Sequence, residues 1–236
     1  MGLDGIIFDV DGVIVETENL HRMAYNAMFK KKGIPVTWTP ADYKAILNQP
    51  AGRKLQSVVD SMGVENKEET RLILHREKHL CFEEILDNLG PAGRLVPRPG
   101  VLDLIDEALS RKIKLGLATV SPRPSATKLL TYALGADLFK SFVGFCTGYE
   151  VENTKPAPDV YLAVLSQICT LSDNTVAIED TEYGAEASRN AGLKTVVTPS
   201  EYTLGGVFSG ADLVVPDLAH YKGNERVTVE VLEGLL

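Results

Sequence analysis

Ile6, Ile7 and Phe8 make an apolar run of strand length, and the next credible one, KIKLGLAT, is not reached until 112–119. That separation of roughly 100 residues far exceeds the ~30 of a strand–helix–strand unit. From 112 onward the spacing shortens. FVGFCT (142–147), TVAIED (175–180), KTVVT (194–198) and DLVVP (212–216) read as further strands, with helical patterns near 122–135, 159–168 and 183–191. The alternation predicts an α/β fold with a doubly wound parallel sheet. The long gap predicts a helical cap at 16–92, inserted after the first strand, with 1–15 and 93–236 forming the core. In TENLHRMAYNAMFKKKG, Thr17 is the expected N-cap, Leu20, Met23, Ala24, Ala27 and Met28 recur at helical spacing, and Gly33 closes the helix. Residues 54–90 again read as helices, and LVPRPGV (95–101) is a Pro-rich connector. Ligands of open parallel sheets bind at the carboxyl ends of the strands, so an insert leaving there is expected to roof the site.

The first strand runs straight into acids. IIFDVDGVIV sets Asp9 and Asp11 two positions apart, and Gly12 offers a tight turn. Carboxylates at the end of a buried strand are costly unless something compensates them. The other strand ends carry similar chemistry: Thr119 and then Ser121, Lys155 in ENTKPAPD, and Glu179-Asp180. All are expected at one edge of the sheet. Asp9 and Asp180, with the backbone carbonyl of Asp11, suit a hard cation such as Mg²⁺, which would shield an anionic phosphate from an anionic nucleophile. Asp9 is then the expected nucleophile, forming an aspartyl-phosphate. Asp11 is the expected acid that protonates the leaving oxygen and then the base that activates water. Lys155 and the Thr119 hydroxyl would hold the phosphoryl oxygens, with Ser121 a further substrate contact.

Composition narrows the alternatives. A formal net charge of −8 over 236 residues disfavours a general nucleic-acid or acidic-membrane binder, although a local basic pocket can still take an anionic small molecule. Cys81, Cys146 and Cys169 are far apart, with no zinc spacing, and read as reduced thiols. No segment is long and apolar enough to span a membrane, and the N-terminus lacks the pattern of a signal peptide. The expected compartment is the cytoplasm, or a plastid after loss of a targeting segment. The expected partner is a small phosphorylated substrate, and the expected state is a monomer.

FDVDGVIVETE, LATVS, TKPAPDVY and AIEDTEYGAEASRNAG resemble, in order and spacing, the four motifs of the haloacid dehalogenase (HAD) superfamily. The likeness covers nearly the whole chain and implies a Rossmann-like HAD core. The insert resembles the cap of the β-phosphoglucomutase-like branch. ETENLHRMAYNAMF and TPSEYT look closest to CbbY-type phosphatases, which act on xylulose-1,5-bisphosphate. By position, the resemblance implies Asp9 as nucleophile, Asp11 as acid/base, Thr119 and Lys155 as the motif-two and motif-three groups, and Asp180 as metal ligand. It implies Glu179 as a further or alternative ligand, and Glu18 and His21 as cap residues near the substrate. One segment departs from the pattern. Where CbbY-type caps carry a GGKER-like turn, this chain reads AGRKL at 51–55, leaving Arg53 and Lys54 as candidate cations for a distal phosphate, alongside His21 and Arg22.

The expected function is a Mg²⁺-dependent sugar-phosphate phosphatase. A β-phosphoglucomutase-like phosphomutase would use the same core, and sequence does not separate the two. Dehalogenation needs no second acid, so Asp11 argues against it. The complete acid set argues against a non-catalytic binding protein, and a nucleotide-dependent dehydrogenase lacks its GxGxxG. Simpler readings stand beside several residues. Thr119 is placed to cap a helix, Lys155 to be a surface lysine, and His21 to be a packed interface histidine. His75 and His79 suit a solvated helix face, Trp38 and Tyr43 the core of the cap, and the lysines at 30–32 a solvated helix C-terminus.

Overall fold

Gly5–Phe8 (β1) is a central strand of a six-stranded sheet in the computed structural model, which describes residues 2–47, 53–223 and 225–236. Among the described residues four helices follow: Glu18–Lys31 (α1), Pro40–Ile46 (α2), Gln56–Ser61 (α3) and Lys67–Leu89 (α4), with a 3-10 turn at Arg53–Leu55. The chain then alternates as Val101–Ser110 (α5), Lys114–Thr119 (β2), Arg123–Leu134 (α6), Ala136–Phe139 (α7), Phe142–Thr147 (β3) and Asp159–Ile168 (α8). Thr175–Glu179 (β4), Glu182–Asn190 (α9), Lys194–Val197 (β5), Leu213–Val214 (β6) and Val229–Glu233 (α10) complete it. The sheet order is β3-β2-β1-β4-β5-β6, and every neighbouring pair is parallel. The chain divides into two compact units, residues 1–16 with 95–236, and residues 17–94.

In the first unit β1 lies between β2 and β4, with Ile7 opposite Gly116 and Ala177, and all four of its residues are buried. Flanking strands and helices on both faces explain why it is apolar throughout instead of alternating. Val160, Tyr161, Val164, Leu165 and Ile168 of α8 fall at helical spacing and bury one stripe against Ile7, Ala118 and Ala177. Each fully buried aliphatic side chain there contributes about 1.5–3 kcal/mol. The connector at 95–100 belongs to this unit because it pairs with the segment leaving β1. Val15 bridges Pro97, and the Arg98 N–H donates to Ile14 O at 2.8 Å.

The second unit has its own core. Tyr25 and Phe29 of α1 pack on Trp38, with ring centroids 4.8 and 4.9 Å apart, and Tyr43 is buried beside them. The Asn26 amide accepts from Trp38 N–H at 2.8 Å and donates to Trp38 O at 2.9 Å, which fixes the irregular stretch before α2. Thr39 and Asp42 form a capping box at the start of α2. Thr17 precedes α1 as expected, but its side chain makes no capping hydrogen bond. The lysines at 30–32 are not merely solvated, since Lys31 and Lys32 pair with Glu84 and Glu77 of α4. His75 and His79 are half-buried in edge contact, 4.7 Å between centroids, and burial with nearby Lys78 brings His75 down to about 4. Among the described residues, no helix is long and apolar enough to cross a membrane.

Candidate active site

The carboxyl ends of β1, β2 and β4 bring the acids together. Asp9 continues the sheet by donating its N–H to Ile178 O at 2.9 Å, and the chain then turns tightly, Gly12 N–H bonding Val15 O at 2.8 Å. Gly12 has φ +78, a left-handed conformation, and a Cβ there would overlap the Asp180 carboxylate. Glycine is therefore required twice over, for the turn and for the approach of Asp180. The Gly12 carbonyl is gripped by the Arg98 guanidinium, which also donates to Thr198 O and Pro199 O, both at 2.8 Å. Arg98 thus ties the turn after β1 to the loop after β5. The sequence reading gave Arg98 no role, because its partners are backbone carbonyls that leave no trace in the spacing of side chains.

Asp9, Glu179 and Asp180 are all buried, and each offers an oxygen within 4.8 Å of the others. Lys155 reaches into this group from the loop after β3. Its Nζ donates to Asp9 Oδ1 at 2.6 Å, Glu179 Oε1 at 2.5 Å and Ala118 O at 2.9 Å. The surface-lysine alternative is therefore excluded. Burial opposes the Lys155 charge, but Asp9 and Glu179 outweigh it and hold the ammonium above its ordinary range. Asp9 goes the other way from a typical paired acid. Burial dominates and, with repulsion from Glu179 and Asp11, pushes its carboxyl well above the usual range despite Lys155. An Asp9 carboxyl that resists ionisation with one ammonium alone suits a further cation. Three clustered carboxylates, one of them brought close by the bare Gly12, fit a hard divalent ion.

Asp11 is separated from that group by its hydrogen bonding. The Ser121 hydroxyl donates to Asp11 Oδ2 at 2.5 Å, while the Ser121 N–H donates to the buried Thr119 Oγ1 at 3.1 Å. The Asp11 side chain is not part of the three-carboxylate cluster, which leaves its backbone carbonyl as the ligand atom that the sequence reading considered. Asp9, Asp11, Thr119, Ser121, Lys155, Glu179 and Asp180 are thus all in the first unit, at the strand ends where the sequence puts them.

The cap candidates belong to the second unit. Glu18 is buried and accepts from the Tyr43 hydroxyl at 2.9 Å. His21 stacks on Phe82, 4.1 Å between centroids, and its Nδ1 lies 2.8 Å from Lys78 Nζ. Lys78 is buried with its ammonium over the rings of Tyr25 and Phe82, and the sequence reading passed over it. A signal existed: Leu74, Lys78, Phe82 and Leu86 form one i, i+4 stripe in which only the lysine is polar. Arg22 is committed to Trp38 O and Asn19, so it serves the fold of the unit. Arg53 is exposed in the 3-10 turn, and Lys54 Nζ lies 5.4 Å from the Tyr43 ring centroid. The first two residues of AGRKL lie outside the described residues.

The sequence profile of the haloacid dehalogenase-like hydrolase family matches residues 6–198. The chain is 36% identical over 220 residues to the protein CbbY of Rhodobacter capsulatus, covering 93% of this chain and 95% of that one. It is 30% identical over 195 residues to a phosphorylated carbohydrates phosphatase of Thermotoga maritima, covering 82% and 84%. Its fold superposes with a TM-score of 0.83 on a crystal structure of a CbbY variant from Rhodobacter sphaeroides in complex with xylulose-1,5-bisphosphate, at 29% identity, covering 95% of this chain and all of that one. These likenesses agree with the strand-end chemistry, and the chain belongs to the haloacid dehalogenase-like hydrolase family, among its CbbY-like phosphatases.

Proposed function

We propose that the chain hydrolyses a sugar phosphate, with xylulose-1,5-bisphosphate as the preferred substrate, through a phosphoenzyme on Asp9 and with Mg²⁺ as cofactor. The observation that carries this reading is the contrast between the two aspartates. Asp9 is buried against Lys155 and the other carboxylates, whereas Asp11 is half-buried and held aside by Ser121. A cation joining Lys155 beside Asp9 would hold it ionised for attack, whereas Asp11, bonded to Ser121, is left to carry the proton.

A carboxylate oxygen of Asp9 attacks phosphorus while the bond to the sugar oxygen breaks, and Asp11 gives its proton to that oxygen. Water then loses a proton to Asp11 and attacks the same phosphorus, releasing phosphate and restoring Asp9. Lys155, held above its ordinary range, stays charged and offsets negative charge on the transferring group. The buried Thr119 hydroxyl is a donor for a phosphoryl oxygen. Asp9, Asp180 and the Asp11 carbonyl would hold the Mg²⁺, with Glu179 beside them. The ion supplies charge neutralisation that lets a phosphate approach this acidic group.

A panel of phosphorylated sugars assayed with Mg²⁺ and with EDTA tests the proposal. Release of inorganic phosphate should stop in EDTA and return with Mg²⁺. Full activity without metal would sink the metal assignment. Transfer of the phosphoryl group to a second sugar instead of water would make the chain a mutase.

A further inference from the structure

Glu179 is enclosed by groups of its own chain. Its Oε1 accepts from Lys155 Nζ at 2.5 Å and from the Tyr161 hydroxyl. Its Oε2 accepts from the Asp180 N–H at 3.3 Å and occupies space that a Cβ on Gly184 would fill. Tyr161 is fully buried on α8, at the end of TKPAPDVY and far in sequence from Glu179, and its ring centroid lies 5.0 Å from Lys155 Nζ. A buried phenol must find a partner for its O–H. Here the partner is neither a backbone carbonyl nor another helix residue but the carboxylate that shares Lys155 with Asp9.

That sharing is finely divided. Lys155 Nζ sits 2.5 Å from Glu179 Oε1 and 2.6 Å from Asp9 Oδ1. An acceptor oxygen already bonded by a second donor has less charge left to attract the ammonium. Without the phenol, Glu179 would compete for Lys155 with its whole charge, in an interior where such attraction is strong.

We propose that Tyr161 is a positioning residue whose hydroxyl, bonded to Glu179, keeps Lys155 aimed at Asp9 for phosphoryl transfer. The inference rests on the phosphatase reading above. Tyr161→Phe isolates it, since the ring, its packing and its face toward Lys155 are retained and only the O–H is lost. Phosphoenzyme formation is measured by rapid acid quench with saturating Mg²⁺ in the wild type, Tyr161→Phe, Glu179→Gln and the double variant.

Tyr161→Phe should slow formation about ten- to a hundredfold, as loss of a charge-assisted hydrogen bond does, with KM for substrate unchanged. In the Glu179→Gln background the same substitution should have almost no further effect, because the path runs through Glu179. A wild-type rate for Tyr161→Phe would overturn the inference. So would an equal loss in both backgrounds, or a loss explained by a smaller folded fraction, because a purely structural tyrosine gives those results. A wild type that forms no phosphoenzyme would overturn the phosphatase reading and this inference with it.

Discussion

Asp9 and Asp11 are two residues apart, and their surroundings ask for different failures. Asp9→Asn removes the nucleophile and should leave no phosphoenzyme after acid quench. Asp11→Asn keeps the nucleophile but removes the proton donor, so both steps should slow by about 10²–10⁴-fold. Wild-type turnover by Asp9→Asn would exclude the covalent route. These residues were legible because acids that terminate a buried strand contradict the cost of burying charge, and the contradiction points to chemistry. Arg98, Lys78 and Tyr161 were not legible in the same way. Arg98 bonds carbonyls, Lys78 packs against rings, and Tyr161 reaches a carboxylate that only the fold brings near. Lys155 stood between the two groups, since its setting suggested a role but only the distances to Asp9 and Glu179 establish its contacts.

At the scale of elements, every strand named from the apolar runs is present, because a parallel sheet covered on both faces demands such runs. α5 was passed over although Val101, Leu104, Ile105 and Ala108 bury at helical spacing; it stands against the connector, where attention to prolines hides the period. α2 was missed for a different reason, being seven residues long and fixed less by its own pattern than by Thr39 and Asp42 at its start. The stretch before it is held at Trp38 by the Asn26 amide and the Arg22 guanidinium. Asn26→Ala would leave the Trp38 N–H without its acceptor, while Arg22 still donates to Trp38 O. Loss of such a partner costs about 1–3 kcal/mol, and partial exposure sets this case toward the low end. Urea unfolding followed by fluorescence reads it directly, since Trp38 is the only tryptophan. Asn26→Asp keeps the acceptor but sets an oxygen where the amide N–H donates to Trp38 O, so it should recover only part of the stability. An Asn26→Ala midpoint equal to wild type would mean that the loop is held elsewhere.

The whole molecule carries a formal charge of −8, and its acid cluster concentrates part of that charge where one ammonium opposes it. Two consequences follow for ligands. A divalent cation that binds only the folded cluster must stabilise the fold, by about 2.7 kcal/mol at a hundred times its Kd. Calorimetry should find a Tm that rises with Mg²⁺ and hardly responds to NaCl of equal ionic strength, and Asp180→Asn should lose the difference. The second consequence concerns substrate choice. A bisphosphate has two anionic ends, and Lys155 is already shared between Asp9 and Glu179, so the far phosphate needs another cation against the overall field. Arg22 is engaged by Trp38 and Asn19, and Lys78 by His21 and two rings, whereas Arg53 is exposed and Lys54 stands near Tyr43. Replacing Arg53 and Lys54 together with Ala should lower kcat/KM for xylulose-1,5-bisphosphate about ten- to a hundredfold, the effect of losing a charge-assisted contact of about 1.5–3 kcal/mol. Hydrolysis of p-nitrophenyl phosphate should barely change, because it has no second phosphate to hold. Equal losses on both substrates would assign the pair to folding of the helical unit. A wild type without preference for the bisphosphate over glucose-1-phosphate or phosphoglycolate would defeat the substrate proposal and leave the phosphatase chemistry of the strand ends untouched.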